Sequence, residues 1–230
     1  MTCTTNTSTC VSRLVISLLL LIAAMPAVRA QGQQPAERDS IPLLRGFSLS
    51  FDLVGVAKQL IGTYGEYEGA LRVNLRDRWF PIVEIGVGRA NHERDEATGL
   101  TYKTTAPYFR VGLDWNIMKN KHADNRIYAG FRYAFTNYKA DIIREDLPDP
   151  WWQSKTGFGM EGISCNMHWL EAVFAIDAKI YGPFHLGWSV RYKRRLTHKE
   201  GDIGKSWYTP GFGLNDQDNF TGTFNVIFDI

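Results

Sequence analysis

Residues 108–117 read Tyr-Phe-Arg-Val-Gly-Leu-Asp-Trp-Asn-Ile and alternate apolar with polar or small side chains. Phe109 and Val111 fall on one face of this stretch, whereas Arg110 and Asp114 fall on the other. A period of two residues is typical of a β-strand whose two faces meet different surroundings. The stretch therefore predicts a strand with one apolar face and one charged face.

The same period recurs in seven further segments after residue 46. The eight segments are 47–53, 67–76, 79–88, 108–117, 127–136, 169–180, 184–193 and 220–230. Eight two-faced strands of this length favour an antiparallel up-and-down barrel. We therefore predict an all-β fold, namely an eight-stranded antiparallel up-and-down barrel.

Short and long connections alternate along these segments. Only Asp77 and Arg78 separate the second segment from the third, and the other two short connections are also tight turns. The long connections are 57–66, 89–106, 139–167 and 196–219. Short periplasmic turns at one end and long extracellular loops at the other are typical of transmembrane barrels. The sequence thus predicts a transmembrane barrel with four long extracellular loops.

Periodicity alone does not decide which face lines the lumen, and a soluble lipocalin-like barrel with an apolar interior is the alternative. Volume favours a charged lumen, because the apolar faces carry sixteen aromatic side chains, more than an eight-stranded interior can hold. Gly112 and Gly130 lie on the charged face, where a narrow lumen needs small side chains. Trp79 and Trp115 lie near the short turns, as in an interfacial aromatic girdle.

With the charged face inside, the lumen charges are balanced at seven acidic and seven basic side chains. This predicted charge network consists of Asp52, Glu68, Glu84, Asp114, Glu171, Asp177 and Asp229 with Arg72, Arg76, Arg110, Arg132, Lys179, Arg191 and Lys193. Buried charges are costly unless they are paired, so the balance predicts interlocked salt bridges that fill the lumen. A filled lumen is not a pore, and a ring of one sign, which indicates ion selectivity, does not occur.

The first thirty residues have the pattern of a secretory signal peptide. Arg13 precedes the apolar run 14–24, which is too short to span a membrane as a helix, and 28–30 resemble a cleavage site. The predicted organisation is a cleaved signal peptide (1–30), a flexible periplasmic lead-in (31–45) and an outer-membrane barrel (46–230).

Charge argues against nucleic-acid binding, and cysteine content argues against an internal disulfide. The chain has 26 Lys and Arg against 24 Asp and Glu, and removal of Arg13 and Arg29 leaves 24 of each sign. A neutral mature chain lacks the positive surface that nucleic-acid binding requires. Cys3 and Cys10 leave with the signal peptide, so Cys165 has no partner for an internal disulfide.

If the lumen is filled, function is expected in the long loops. The candidate loop contacts are Trp151, Trp152, Trp207 and Tyr208. Trp151 and Trp152 would bind a glycan, a lipid or a partner protein, or would belong to the outer aromatic belt or pack their loop on the barrel rim. Trp207 and Tyr208 begin the stretch 207–213, which has the pattern of a turn that folds back on the barrel.

Catalytic and metal-binding patterns are weak. His92 with Glu93, and His198 with Asp202, are the pairs that folding could bring together, but no histidine lies two residues from a serine on one strand face. No catalytic residue, metal or cofactor is therefore assigned.

Five stretches carry a resemblance to known proteins. They are 80–86 (Phe-Pro-Ile-Val-Glu-Ile-Gly), 108–116, 129–133, 187–191 and the turn 210–213 (Pro-Gly-Phe-Gly). Together they resemble an uncharacterised family of small outer-membrane β-barrel proteins of Gram-negative bacteria, over about residues 46–230. The resemblance implies the barrel and its location but no activity. Ile230 departs from the aromatic residue with which such barrels commonly end, although Phe228 keeps the phase.

The sequence as a whole predicts a non-enzymatic outer-membrane barrel with a closed lumen and a structural or surface-interaction role. The expected partners are outer-membrane lipid, the barrel-assembly machinery and an unknown extracellular or periplasmic partner. Two alternatives stay open, a barrel enzyme that modifies envelope lipid and a soluble lipocalin-like barrel.

Overall fold

The computed structural model describes residues 42–95, 98–148, 155–201, 204 and 206–230, without the side chains of 145–148 and 155–156. The predicted signal peptide, most of the lead-in, Trp151, Trp152 and Asp202 lie outside these described residues.

The described part of the chain contains eight long strands, one helix and a small hairpin. The elements are β1 (Leu44–Asp52), α1 (Leu53–Ile61), β2 (Tyr64–Leu75), β3 (Trp79–His92), β4 (Thr101–Asn116), β5 (Arg126–Pro148), β6 (Lys155–Tyr181), β7 (Phe184–Lys199), β8 (Tyr208–Thr209), β9 (Gly213–Leu214) and β10 (Asp218–Asp229). In this part of the chain, no helix has the length and apolar character needed to cross a membrane.

Eight antiparallel strands form one sheet in the order β1-β10-β7-β6-β5-β4-β3-β2, and β1 pairs with both β2 and β10. The sheet therefore closes on itself, and every other neighbour in it is the next long strand along the chain. β8 and β9 pair with each other in a separate hairpin. The predicted all-β, antiparallel, up-and-down arrangement of eight strands is confirmed. The hairpin lies where the sequence predicts a turn that folds back on the barrel, whereas nothing in the sequence analysis predicts α1.

Burial shows which face of the sheet lines the interior. Arg110 and Asp114 are 2% and 0% exposed, whereas Phe109 and Val111 are 38% and 53% exposed. The polarity is thus opposite to that of a lipocalin-like barrel with an apolar lumen. We call the outward apolar side chains the apolar belt. Its exposed members include Trp79, Val83, Ile85, Val87, Leu113, Trp115, Phe131, Phe174, Ile176, Trp188, Val190 and Phe220.

The belt ends before the strands do. On β3 it runs over Trp79–Val87, after which Arg89 points outward, and on β4 the outward residue at the same end is Lys103. Backbone pairing nevertheless continues to His92 on β3. The outward face becomes polar beyond the belt, so the apolar period stops although the hydrogen-bonded ladder does not.

Two of the predicted long loops are therefore wrong. Most of 89–106 and of 139–167 belongs to strands, and β5 and β6 remain paired up to Pro148 and Lys155. These two strands have 23 and 27 residues and form the tallest part of the wall.

The other two predicted loops also contain regular structure. Most of the predicted loop at 57–66 belongs to α1 and β2. The helix begins after Asp52, the last residue of β1, whose carboxylate accepts hydrogen bonds from the Val54 and Gly55 N–H groups (3.0 Å each). This is the usual way in which an aspartate caps a helix N-terminus. In place of the loop at 196–219, β7 extends to Lys199 and the β8–β9 hairpin follows.

The opposite end of the barrel has the tight turns that the sequence predicts. Between β2 and β3, Arg76 and Asp77 both have φ of 55°, and the Arg78 N–H donates to the Leu75 carbonyl at 3.1 Å. Two consecutive residues with positive φ define the type I′ turn, which fits the twist of a hairpin.

Candidate functional site

The centre of the lumen is organised around Glu84. Its carboxylate accepts hydrogen bonds from Arg132 Nε (2.8 Å), Arg191 Nη1 (2.9 Å) and Arg110 Nη1 (3.3 Å). Glu84 is 1% exposed, so three guanidinium groups depend on one buried carboxylate.

Further carboxylates complete the pairing of these arginines. Asp114 accepts from two Arg132 nitrogens (2.6 and 2.9 Å) and lies 3.0 Å from Arg72 Nη2. Glu68 lies 2.8 Å from Arg191 Nη2. Acidic and basic groups thus alternate across the lumen, which is the arrangement that makes buried charges tolerable.

Arg110 joins this network to the loop end of the barrel. Its guanidinium pairs with Glu68, approaches Glu171 at 2.8 Å and donates to the Gly211 carbonyl at 2.7 Å. Trp169 Nε1 donates to Glu171 at 2.7 Å. One side chain therefore fixes strands β2, β4 and β6 and the turn of the β8–β9 hairpin.

The described side chains nearly fill the lumen. The cavity beside this network, lined by Arg72, Glu84 and Asp177 among others, has a volume of about 20 Å³. That is room for about one water molecule. At the level of Glu84 the described interior is therefore a packed polar core, and a larger cavity of about 140 Å³ lies beside α1.

Most of the predicted lumen residues lie in the interior. The buried members are Asp52, Glu68, Arg72, Glu84, Arg110, Asp114, Arg132, Glu171, Asp177, Arg191 and Lys193. Asp52, Asp177 and Lys193 take no part in the ion pairs that surround Glu84 and Asp114. Asp52 caps α1, Asp177 contacts His185 Nδ1 at 2.7 Å, and Lys193 Nζ donates to the Gly211 (2.7 Å) and Phe212 (3.2 Å) carbonyls.

Two predicted lumen residues are wrong. Arg76 is exposed because β2 ends at Leu75 and Arg76 belongs to the type I′ turn. Lys179 is also exposed, because it lies at the turn end of β6 and reaches out of the barrel to Asp124 at 3.2 Å.

Three interior groups were missed. Arg126 lies 2.8 Å from Asp229, His185 contacts Asp177, and Glu66 accepts from the Tyr208 hydroxyl at 3.0 Å. Arg126 and Glu66 each lie one residue before a predicted segment and alternate in phase with its lumen residues, so longer strands would include them. His185 lies on the lumen face of the predicted segment 184–193 but is not among the acidic and basic side chains of the predicted network.

The β8–β9 hairpin folds into the mouth of the barrel. Phe212 packs edge-on against Trp169 with ring centroids 5.8 Å apart, and the Tyr102 hydroxyl donates to the Tyr208 carbonyl at 2.7 Å. Tyr208 is fully buried, so its prediction as a loop contact is wrong. Gly211 and Gly213, with φ of +81° and +108°, permit the turn that directs this segment inward.

A buried polar cluster holds this hairpin beyond the apolar belt. The Tyr138 hydroxyl lies 2.7 Å from His198 Nε2 and 2.8 Å from Ser206 Oγ, and His198 Nδ1 lies 3.2 Å from Glu200. Burial lowers the pKa of His198 and raises the pKa of Tyr138 to about 12. His198 and Ser206 both contact the Tyr138 hydroxyl, which lies between them. The cluster therefore holds the hairpin in place and does not pair a serine with a histidine base.

Cys165 lies beside this cluster and is 4% exposed. Burial raises the pKa of its thiol, which is the opposite of an activated nucleophile. The described residues also contain no group of three or more His, Cys, Asp and Glu side chains placed to hold a metal ion.

A cleft of about 400 Å³ lies at the loop end. Trp207, a predicted loop contact, is half-buried there and stacks on His92 with ring centroids 4.3 Å apart. The cleft is also lined by Tyr102, Ile142 and Leu214. Its volume is that of a small-molecule or side-chain site.

A family model described as a domain of unknown function, DUF6048, matches residues 11–229. No curated protein and no solved structure matches the chain. Because the family model covers nearly the whole sequence, the chain belongs to the DUF6048 family.

Proposed function

We propose that this protein is a transmembrane β-barrel of the bacterial outer membrane with a salt-bridged, closed lumen. The observation that carries the proposal is the inverted burial, with charged side chains inside and aromatic and branched side chains outside. Contiguous apolar surface of this extent marks a membrane or protein contact.

The dimensions of the belt support this environment. Nine residues of β3, Trp79–Val87, lie between the tight turn and the first outward charge, Arg89. A transmembrane strand needs about 9–11 residues. Trp79 and Trp115 stack 5.2 Å apart at the turn end, where a girdle of aromatic residues meets the membrane surface.

The proposed role is structural or surface-interacting and is exerted at the loop end. The packed lumen argues against a pore, whereas the cleft around Trp207 and His92 offers a concave surface beyond the belt. The proposal includes export through residues 1–30 and no enzymatic activity.

Membrane fractionation and a heat-modifiability gel test the environment. We expect the protein in the detergent-extracted envelope fraction and a folded band whose mobility changes on boiling. A chain that stays soluble without detergent would refute the proposal.

Two further measurements test the role. Reconstituted liposomes are expected to show no steady conductance, and large stable openings would contradict a closed lumen. Envelope lipid profiles with and without the protein are expected to be identical, and a changed profile would favour the alternative of a lipid-modifying barrel enzyme.

A further inference from the structure

The barrel wall is incomplete beside α1. β1 ends at Asp52, which pairs with Asn225, so residues 218–224 of β10 have no pairing partner in β1. On the other side, the pairing of β1 with β2 stops at Gly69. The helix occupies the space in which β1 would have continued between β2 and β10.

The helix closes one side of this break more tightly than the other. A Cβ atom on Gly65 of β2 would lie 2.4 Å from the Gln59 main-chain nitrogen, so α1 packs directly on β2. Between α1 and β10 a cavity of about 140 Å³ remains. Its walls include Lys58 of α1, Lys193 of β7 and residues 220–223 of β10.

Two polar side chains on the cavity wall, Lys193 and Thr221, can form further hydrogen bonds. Lys193 is 2% exposed, and its ammonium donates to two carbonyl oxygens, which leaves one of its three protons without an acceptor. The Thr221 hydroxyl is shielded from solvent and has no hydrogen-bond partner among the described residues. Buried groups of this kind normally have partners.

The charge of the missing partner follows from the neighbouring groups. Asp52 accepts three N–H hydrogen bonds, and Glu66 and Glu68 accept from tyrosine or arginine donors. In the described part of the chain no carboxylate lies within 4 Å of the Lys58 or Lys193 ammonium. Glu66 interacts electrostatically with both lysines but does not pair with either. The wall carries four basic side chains (Lys58, Arg110, Arg191 and Lys193) and three acidic ones (Asp52, Glu66 and Glu68), so the cavity has a net positive charge and suits an anion.

The cavity also lies at the right height for a lipid. Phe220 on its wall is an exposed belt residue opposite Tyr192, and the next outward pair along these strands is the exposed ion pair Arg194–Asp218 at 3.0 Å. The break is thus at the loop-side edge of the belt, where headgroups would begin.

We infer that the break between α1 and β10 is a lateral binding site for the phosphate group of an amphiphile that enters from the surrounding leaflet. Lys58 and Lys193 bind the phosphate, Thr221 donates to it, and the alkyl chain lies along the belt at Phe220 and Gly222. This inference rests on the proposed membrane location.

Calorimetry on the folded protein in dodecyl maltoside tests the site, with dodecyl phosphate and inorganic phosphate as separate probes. We expect one saturable dodecyl phosphate site per chain. Lys58→Gln removes one charge-assisted contact and should weaken binding about tenfold. Lys103→Gln, an exposed lysine of β4 outside the cavity, is the matched control and should bind like the native protein.

A second pair of variants tests lateral entry without touching a charge. Among the described residues, a Cβ atom on Gly222 meets only the Ser189 carbonyl, at 3.8 Å. We therefore expect Gly222→Leu to fold, to fill the entrance and to abolish dodecyl phosphate binding. Gly69→Leu adds the same side chain elsewhere on the belt, where the nearest atom is 3.6 Å away, and should leave binding intact.

The outcomes separate the two proposals. Inorganic phosphate that binds as tightly as dodecyl phosphate, in the native protein and in Gly222→Leu, would retain the anion site and overturn its lipid source. A detergent-extracted, heat-modifiable protein that binds neither probe would overturn the site alone. A protein that stays soluble without detergent would overturn the membrane location and the lateral site together.

Discussion

At the residue scale, the lumen consists of charges that each depend on several others. Glu84 contacts Arg110, Arg132 and Arg191, and all four side chains are almost completely buried. The loss of one charge in such a group leaves its partners uncompensated, and this costs more than the pair itself contributes. Single substitutions in this network should therefore have large effects.

Glu84→Gln keeps the size of the side chain and removes its charge. We expect a loss of about 3–5 kcal/mol in the free energy of unfolding, because three buried guanidinium groups lose a shared counter-ion. Urea titration of the protein folded into lipid vesicles measures this change. Glu161→Gln, at an exposed position of β6, is the control, and equal stability of the two variants would contradict the network.

His198 gives the loop end a defined pH dependence. Burial lowers the pKa of His198 in the folded state, opposed by Glu200 and assisted by Arg195, whereas the unfolded value is about 6.5. The unfolded chain therefore binds the proton more readily. The contribution of neutral His198 to stability is complete above about pH 6.5 and is lost as the pH falls through the folded pKa.

Amide hydrogen exchange in residues 206–212 measures this effect. After correction for the intrinsic rate, we expect less protection at pH 5.5 than at pH 7.5, and we expect this difference to shrink in His198→Gln. The neighbouring Tyr138 and Cys165 have raised pKa values and stay protonated over this range. Protection that does not change with pH would refute the role of His198.

At the element scale, the β8–β9 hairpin is an internal plug that links the loop end to the charge network. The carbonyl of Gly211 accepts from both Arg110 and Lys193, and Phe212 packs on Trp169. The hairpin thereby supplies carbonyl acceptors to Lys193, which forms no ion pair among the described residues, and one further acceptor to Arg110, which also pairs with Glu68, Glu84 and Glu171. Displacement of this element should expose polar lumen groups as well as aromatic surface.

Substitution of two glycines with similar backbone conformations, one in the hairpin and one before it, distinguishes the effect of backbone strain from the effect of packing. Gly211 and Gly204 have φ of +81° and +80°. A Cβ atom would lie 2.5 Å from the Tyr108 ring at Gly211, whereas at Gly204 it would meet no described residue within 4 Å. Both alanine variants incur about 1–2 kcal/mol of left-handed strain. Only Gly211→Ala adds overpacking of about 1–3 kcal/mol.

Limited proteolysis of folded protein compares the two variants. We expect Gly211→Ala to be cut in the hairpin region much faster than Gly204→Ala. Equal rates would show that the hairpin is not held against Tyr108.

The sequence predicted the strand faces far better than the strand ends. The alternation at Phe109 and Arg110 is sufficient to place one outside and the other inside, because side-chain direction reverses at every residue. The ends are hidden because outward residues become polar beyond the belt, as at Arg89 and Lys103, while pairing continues. Sequence periodicity reports the surroundings of a strand and not its hydrogen bonds.

The candidate sites consist of contacts between residues that are distant in the chain, and no local sequence pattern predicts such contacts. Lys193 has the parity of a lumen residue, but its carbonyl acceptors come from a turn eighteen residues later in the chain. Leu53 continues the alternation of β1, so the start of α1 was concealed. Tyr208 and Trp207 are adjacent, yet one is buried and the other half-buried, because the inward turn of the hairpin separates them.

At the scale of the whole molecule, substitutions on the apolar belt can test whether lipid surrounds it. Val111 lies at mid-height of the belt and is 53% exposed, whereas Thr105 points outward on the same strand beyond the belt. If lipid surrounds the belt, Val111→Arg should cost about 2–4 kcal/mol and Thr105→Arg about 0–1 kcal/mol.

Urea unfolding in vesicles measures both variants against the native protein. Equal, small effects at the two positions would mean that water or a protein partner, and not lipid, covers the belt.

The unequal wall has a consequence for how other molecules meet this protein. The β5–β6 hairpin rises far above the belt, whereas the wall beside α1 is low and interrupted. If the barrel lies in the outer membrane as proposed, a large molecule that approaches from outside the cell would touch the tall hairpin first, and its access to the low side would be limited by that height. A molecule that diffuses within the leaflet would meet the interrupted side at its own level. In that location, the interrupted side would be easier to reach from within the leaflet than from outside the cell.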